Sequence, residues 1–206
     1  MEFKKLANNT INFVLNRIIE TFGLIILIVG VLLLISLVSY SPDDPNFIFP
    51  ENTIIKNILG FQGSFTADLF FQSIGLIALL IPLSFFATGV NIILYKKTLI
   101  IIKSIFYTIL YSLFGALFFS FFYPNAFKLY INGNGGFTGK YLETTFLNSI
   151  INTNPQLFYY IFLLSIIIFF LLSIHFKISS FIRLIKRIFK FLFFKKEKIY
   201  TNKNEI

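Results

Sequence analysis

The 206-residue chain contains no cysteine and only one histidine, His175. The absence of cysteine excludes disulfides and thiol chemistry. We interpret His175 as an interfacial residue at the end of an apolar stretch, and the adjacent carboxylates Asp43 and Asp44 as solvated rather than metal-binding. No nucleophile and base can be paired either. We therefore expect no enzyme activity, no cofactor and no metal.

Charge is also missing from four long stretches. Residues 21–42, 69–95, 104–127 and 157–174 contain no Asp, Glu, Lys or Arg. A helix rises about 1.5 Å per residue, so about 20 apolar residues cross a hydrocarbon core of about 30 Å. The mean hydropathy of +0.80 also excludes a soluble domain. The prediction is an all-α membrane protein with transmembrane helices at about 21–39, 69–95, 102–123 and 157–175.

The positive charges predict the orientation of these spans. Fifteen of the 18 Lys and Arg residues lie in the N-terminal arm (1–20), in the turn at 96–103 and in the tail (176–206). Basic residues are enriched on the cytoplasmic side. We therefore expect both termini to be cytoplasmic, flanking a four-span domain at 21–175, and loops 40–68 and 124–156 to face outward.

The tail has the pattern of a basic amphipathic helix. Apolar residues recur at spacings of three and four, and the opposite face carries Arg183, Lys186, Arg187 and Lys190. Such a helix lies in the membrane plane and is attracted to anionic headgroups. We expect membrane lipids as its first partner. Nucleic-acid binding by the tail is a third functional hypothesis, and direct DNA binding is not expected.

Small residues predict where helices approach each other, because close contact between backbones favours association in lipid. Gly23 and Gly30 lie seven residues apart in the first span. Ser112, Ala116 and Ser120 form a stripe at spacings of four in the third. We expect these faces to pack helices or to form a homo-oligomer.

Several short sequence patterns predict local structure. Thr66 and Asp68 predict an N-cap for the second span, and Pro82 predicts a kink within it. Residues 54–59 have the pattern of a short helix. Residues 138–151 could form an interfacial helix or a re-entrant segment, and Lys140 and Glu143 favour the interfacial alternative.

Three segments carry a resemblance to a known family. They are Ser39-Tyr40-Ser41-Pro42-Asp43-Asp44-Pro45-Asn46-Phe47, the run from Asn57 through Gly60, Gly63 and Asp68 to Gly75, and the cluster Gly135-Gly136-Phe137-Thr138-Gly139. In this order they resemble the outer loops of the N-terminal membrane domain of the FtsK/SpoIIIE DNA translocases. The resemblance implies four spans with both ends inside, and it covers roughly residues 15–180.

This resemblance implies a membrane anchor without a motor. Gly139-Lys140 does not form a P-loop, because Asn134 and Tyr141 stand where Gly and Ser or Thr are needed. We expect an anchor at the division septum of a bacterial inner membrane. It would act in cell division and chromosome segregation by contacting division proteins and a separately encoded or missing motor. A motor-less member, a split partner and a truncated product all remain open.

A small transporter or channel component of the inner membrane is the alternative function. Pro82 and Asn91, both within the second span, are its main support. The absence of charge deep in any span argues against it, because ion pathways generally need an ionisable group at depth.

Overall fold

The computed structural model describes residues 2–45, 54–124 and 132–176, which contain helices and connecting turns but no strand. The elements are α1 (Glu2–Val38), α2 (Gly60–Ile74), a 3₁₀ helix (Gly75–Leu80), α3 (Ile81–Tyr95), α4 (Leu99–Phe122), α5 (Gly136–Glu143), α6 (Leu147–Thr153) and α7 (Pro155–Ser173). Four stretches are long and apolar enough to cross a membrane: Asn9–Val38, Gly60–Tyr95, Leu99–Phe122 and Pro155–Ser173. The predicted four-span, all-α fold is confirmed. The predicted amphipathic tail helix lies outside the described residues.

The ends of the spans follow from local chemistry. The predicted N-terminal arm and the first span form one continuous helix, α1, of 37 residues. α4 ends at Phe122, just before Pro124. α7 begins at Pro155, two residues before the predicted start. The side chain of Asn154 caps this helix by accepting a hydrogen bond from the Leu157 amide at 3.2 Å.

The start of the second helical stretch was predicted wrongly. α2 begins at Gly60, and instead of a short helix residues 54–56 have no regular secondary structure and 57–59 form a turn. The Asn57 carbonyl accepts the Gly60 amide at 2.9 Å, which closes this turn directly before the helix. Thr66 and Asp68 therefore lie in the interior of α2 and not at its N-cap. The Thr66 hydroxyl donates to the Gln62 carbonyl of its own helix at 2.7 Å.

The second stretch is interrupted seven residues before the predicted kink at Pro82. Gly75 has a φ of +72°, which ends α2, and a 3₁₀ helix follows. The Leu76 amide leaves the helical pattern and donates to the Asn134 carbonyl at 2.9 Å. Pro82 lies in the first turn of α3, where its missing N–H removes no helical hydrogen bond.

Contacts with α3 place Gly30 of α1 and Tyr111 of α4 at similar depths in the bundle. A Cβ atom on Gly30 would lie 3.0 Å from the Phe86 amide nitrogen of α3. The Tyr111 hydroxyl lies 3.0 Å from the Ser84 hydroxyl of the same helix. Gly30 and Tyr111 therefore mark one depth in the bundle, and the depths of other residues on α1 and α4 are counted from it.

The two ends of α2 also lie at similar depths. Ser36, six residues beyond Gly30, donates to the Gly63 carbonyl near the start of α2. Gly115, four residues beyond Tyr111, faces Ile77 just after α2 ends. At a rise of about 1.5 Å per residue, the distances of Ser36 and Gly115 from the level of Gly30 and Tyr111 differ by only about 3 Å. The two ends of α2 therefore lie at nearly the same depth, although this 15-residue helix is about 22 Å long. α2 therefore runs across the end of the bundle, and Gly75–Tyr95 is the part that crosses.

Two helix pairs form the body of the bundle. α1 packs along α3, and α4 packs along α7. A Cβ atom on Gly23 would lie 3.0 Å from the Gly89 carbonyl oxygen, so the first pair depends on close backbone contact. The second pair is aromatic, and Phe114 stacks on Phe169 with ring centroids 5.6 Å apart. We call the end formed by residues 39–45, 54–59 and 132–154 the long-loop end, and the end formed by 96–98 and 174–175 the short-turn end.

Candidate functional site at the long-loop end

Asp44 holds the first long loop against the bundle. Its carboxylate is only 1% exposed and accepts hydrogen bonds from the Lys56 and Asn57 amides at 2.8 and 2.9 Å. Backbone N–H groups thus stabilise this buried charge. The neighbouring Asp43 is exposed and lies 3.2 Å from the Lys56 ammonium group. The two adjacent carboxylates therefore have different surroundings, and Asp44 is structural rather than solvated.

Asn57 joins this loop to the end of α1. Its side-chain nitrogen donates to the Ser36 carbonyl at 2.9 Å, and its side-chain oxygen accepts the Leu59 amide at 3.1 Å. Ser36 lies in the last turn of α1, where carbonyl groups lack helical partners. Asn57 therefore caps α1 from a position 21 residues away in the sequence.

Gly63 is required where α1 and α2 meet. A Cβ atom at this position would lie 2.1 Å from the Asn57 side-chain oxygen and 2.6 Å from the Leu59 Cβ atom. The next residue, Ser64, is buried and donates to the Pro45 carbonyl at 3.1 Å. The start of α2 is thus fixed to both segments of the first long loop.

Tyr40 and Asp68 form a second polar contact. The Tyr40 hydroxyl donates to the Asp68 carboxylate at 3.0 Å, and Asp68 is 7% exposed. The Tyr40 ring also packs on Phe71 with centroids 4.8 Å apart. Burial, followed by the nearby Asp68 carboxylate, raises the pKa of Tyr40 above its ordinary value of 10.0. The phenol therefore remains a hydrogen-bond donor throughout the physiological range.

Gln72 connects the two long loops. Its side-chain nitrogen donates to Asp68 at 3.4 Å, and its side-chain oxygen accepts the Asn132 amide at 3.3 Å. The Asn132 side chain donates back to the Gln72 carbonyl at 3.2 Å. A continuous series of hydrogen bonds therefore runs from Tyr40 to Asn132. We call these residues, together with Ser36, Asp44, Asn57 and Ser64, the loop cluster.

The glycine segment of the second long loop packs into the break between α2 and the 3₁₀ helix. A Cβ atom on Gly136, whose φ is +64°, would lie 2.5 Å from the Gly75 nitrogen. Gly135 and Gly139 face the Ala116 carbonyl of α4, where added Cβ atoms would lie at 2.5 and 2.4 Å. We call this contact the glycine junction. It leaves no room for larger residues.

The small-residue stripe of α4 is occupied within the chain. Ala116 is fully buried against the glycine junction, and the Ser120 hydroxyl donates to the Glu143 carboxylate at 2.5 Å. Ser112 is buried, and its hydroxyl has no partner among the described residues. Gly23 and Gly30 face α3. A homo-oligomer thus stays a prediction, and its interface would need other faces.

The remaining family-motif residues make fewer contacts than the residues of the loop cluster and the glycine junction. Pro42 lies in the turn closed by the Asp44 amide and the Ser41 carbonyl at 3.1 Å. Gly60 has a φ of +65° and open space where a Cβ atom would lie. The predicted lipid-contact residues Arg183, Lys186, Arg187 and Lys190 lie outside the described part of the chain.

A buried hydroxyl network at the end of α7 was missed by the sequence analysis. The Ser104 hydroxyl donates to the Ser173 carbonyl at 3.0 Å, and the Asn91 side chain donates to the Ile174 carbonyl at 3.2 Å. The Ser173 hydroxyl lies 2.7 Å from that of Ser84. These groups satisfy the carbonyls left free at the helix end, which is necessary in lipid. Spacings of four in two spans are its sequence signal: Ser84 and Thr88, and Ser104, Thr108 and Ser112.

The loop cluster offers rigidity rather than reactive chemistry. No group of three or more His, Asp or Glu residues that could hold a metal ion occurs in residues 2–45, 54–124 and 132–176. Exposed aromatic side chains surround the cluster, including stacked pairs on α2 and α5: Phe61 with Phe65, and Phe137 with Tyr141. The long-loop end therefore presents a fixed surface that suits contact with lipid headgroups or proteins.

Comparison with known proteins identifies the family of this membrane domain. Residues 16–186 match the family described as the 4TM region of DNA translocase FtsK/SpoIIIE. The chain is 32% identical over 178 residues to the DNA translocase FtsK of Rickettsia bellii, covering 85% of this chain and 22% of that protein. It is 36% identical over 76 residues to the Rickettsia typhi protein of the same name, covering 37% of this chain and 10% of that protein.

The relatives extend well beyond the matched region. The chain thus spans about a fifth of the Rickettsia bellii protein, and what it resembles is the membrane region. No solved structure matches. With four membrane-spanning helices and a family match that covers most of its length, this chain belongs to the family of the 4TM region of DNA translocase FtsK/SpoIIIE.

Proposed function

We propose that this chain is a membrane anchor for an FtsK-like DNA translocase and acts at the division septum of a bacterial inner membrane. The observation that carries the proposal is the match of residues 16–186 to the membrane region of these translocases. The relatives' name, DNA translocase FtsK, supports a link to DNA translocation. We propose that this link serves chromosome segregation. Because the resemblance is to the membrane region alone, the chain would serve as a non-catalytic anchor.

Both termini face the cytoplasm in this proposal, and the long-loop end faces outward. The distribution of Lys and Arg supports this orientation, because most of them lie in the arm, the short turn and the tail. Four spans are consistent with both termini on one side. A motor that acts on DNA would then lie on the same side as the basic tail.

The long-loop end supplies the contacts with division proteins. The loop cluster and the glycine junction hold both long loops in one arrangement, and preorganised surfaces bind with a smaller entropic cost. Exposed residues such as Phe137, Tyr141 and Phe146 can act as aromatic anchors. The tail would bind anionic lipid from the other side of the membrane.

Localisation in dividing cells tests this proposal. A fluorescent protein fused to the C-terminus should form a band at mid-cell, and Asn152→Ala, a change at an exposed position, should preserve it. Asn57→Ala should weaken the band while the protein remains in the membrane, because the first long loop loses its side-chain hydrogen bond to the Ser36 carbonyl of α1. Uniform membrane fluorescence from the intact unmodified fusion would contradict septal anchoring.

A transporter or channel component remains the second candidate, and the buried hydroxyls are the observation in its favour. They lie between α3, α4 and α7, where a polar path could run. However, Ser84, Ser104 and Ser173 bond to one another and to a helix-end carbonyl, so the network already has a structural role. If Ser84→Ala changed solute flux in proteoliposomes without changing stability, the transporter would be favoured.

A further inference from the structure

A lateral pocket lies between α1, α2 and α3 near the long-loop end. Its volume is about 400 Å³, within the range of small-molecule sites. Its apolar lining consists of Val29, Leu32, Leu33, Leu59, Phe70 and Phe85. Because α2 runs across the end of the bundle, the pocket is an open groove bounded by α2 on one side and by the sides of α1 and α3 on the others.

The position of the pocket restricts what can enter it. The contributing residues of α1, from Val29 to Ser36, belong to the membrane-spanning stretch Asn9–Val38. Val29 and Leu32 are 44% and 46% exposed, so this wall also faces the surroundings of the bundle. In a bilayer those surroundings are lipid acyl chains at this depth.

The polar atoms of the pocket are confined to the side formed by α2 and the end of α1. The Ser36 hydroxyl donates to the Gly63 carbonyl, and the Thr66 hydroxyl donates to the Gln62 carbonyl. Both hydroxyl protons are therefore donated to backbone carbonyls and are not available to a ligand. The exposed Gln62 side chain supplies an amide at the rim. This distribution suits a ligand with an apolar tail and a polar group at the level of α2.

We propose that the pocket binds one acyl chain of a membrane phospholipid, from the leaflet at the long-loop end, with the ester or headgroup beside Gln62. The bound lipid fills the space under α2 and thereby supports the helix that carries Gly63 and Asp68. This inference is independent of septal anchoring, because it concerns only the membrane-embedded wall.

Tryptophan fluorescence provides a specific test, because the chain contains no tryptophan. Phe85→Trp places a single reporter in the pocket, and Phe106→Trp places one on the exposed face of α4. Each protein is titrated in detergent with phosphatidylethanolamine brominated on one acyl chain. We expect Phe85→Trp quenching to saturate near one lipid per protein and Phe106→Trp quenching to rise in proportion to the lipid fraction.

Filling the pocket should remove the saturating component. In the Phe85→Trp background, Val29→Phe or Leu32→Phe adds bulk to the exposed wall, and Val31→Phe is the matched control outside the lining. Circular dichroism identifies the variants that fold. Identical quenching of the two reporters would show bulk solvation only and overturn the proposal. Saturation that persists in the folded Val29→Phe and Leu32→Phe variants would also overturn it.

Discussion

Removing the Asn57 side chain should destabilise the domain far more than a single hydrogen bond would suggest. Asn57→Ala leaves the Ser36 carbonyl without its donor at 2.9 Å and the Leu59 amide without its acceptor at 3.1 Å. A buried polar group left unpaired costs about 1–3 kcal/mol. We therefore expect a loss of about 2–4 kcal/mol in the free energy of unfolding.

Gly63→Ala should act through the same contacts. The new Cβ atom would lie 2.1 Å from the Asn57 side-chain oxygen, so the Asn57 side chain must leave its position and lose both hydrogen bonds. The two substitutions should then be strongly non-additive, with a coupling energy of about 1–3 kcal/mol, as contacting residues can show. The double variant should be less stable than Asn57→Ala, because the added Cβ atom would still lie 2.6 Å from the Leu59 Cβ atom, but it should be more stable than the sum of the two single losses predicts.

Equilibrium unfolding in mixed detergent micelles, followed by far-ultraviolet circular dichroism, measures these values. The matched control is Asn152→Ala on α6, which removes an exposed side-chain contact with Asn148 and should cost less than about 0.5 kcal/mol. Additive effects of Asn57→Ala and Gly63→Ala would show that the two residues do not share one contact, contrary to this prediction.

Two further predictions concern the glycine junction and the Tyr40 contact. Gly136→Ala and Gly133→Ala both add a Cβ atom at positive φ, at a cost of about 1–2 kcal/mol. Only the Cβ atom at Gly136 would also lie 2.5 Å from a backbone atom. Gly136→Ala should therefore unfold at a clearly lower fraction of the denaturing detergent than Gly133→Ala. Because the pKa of Tyr40 is raised, its protonated form contributes stability that is complete below pH 10 and is lost as the pH rises through the folded-state pKa. Tyr40→Phe should be less stable at neutral pH, because it loses the hydrogen bond to Asp68, and should show a smaller further loss in alkali, because it has no phenol to ionise. An unchanged alkaline loss would exclude ionisation of Tyr40 as the cause of that loss.

The spans were predictable because lipid imposes a simple requirement of length and apolarity. Runs without charge located all four, and Pro124 marked the end of α4. The transverse course of α2 was not predictable, because no charged residue separates its second half from α3. Its end depends on Gly75 adopting positive φ to meet Asn134, a residue 59 positions later.

The site was predictable only as a set of residues, not as an arrangement. The resemblance identified Tyr40, Asp44 and Asp68, but their partners come from distant positions. Asp68 is a residue type that often caps helices, but here it is buried and accepts hydrogen bonds from Tyr40, 28 residues earlier, and from Gln72 of its own helix. The residue that joins the two loops, Gln72, carries no sequence signal beyond being polar in an apolar run.

Cysteine accessibility can show whether the folded loops of the proposed anchor face outward and its termini face the cytoplasm. The chain has no cysteine, so each introduced thiol is unique. Ile58→Cys and Phe146→Cys lie at exposed positions of the two long loops, and Lys97→Cys lies in the short turn. In intact spheroplasts a membrane-impermeant maleimide should label the first two, and Lys97→Cys only after lysis. Labelling of Lys97→Cys before lysis, with both loop sites protected, would contradict the account.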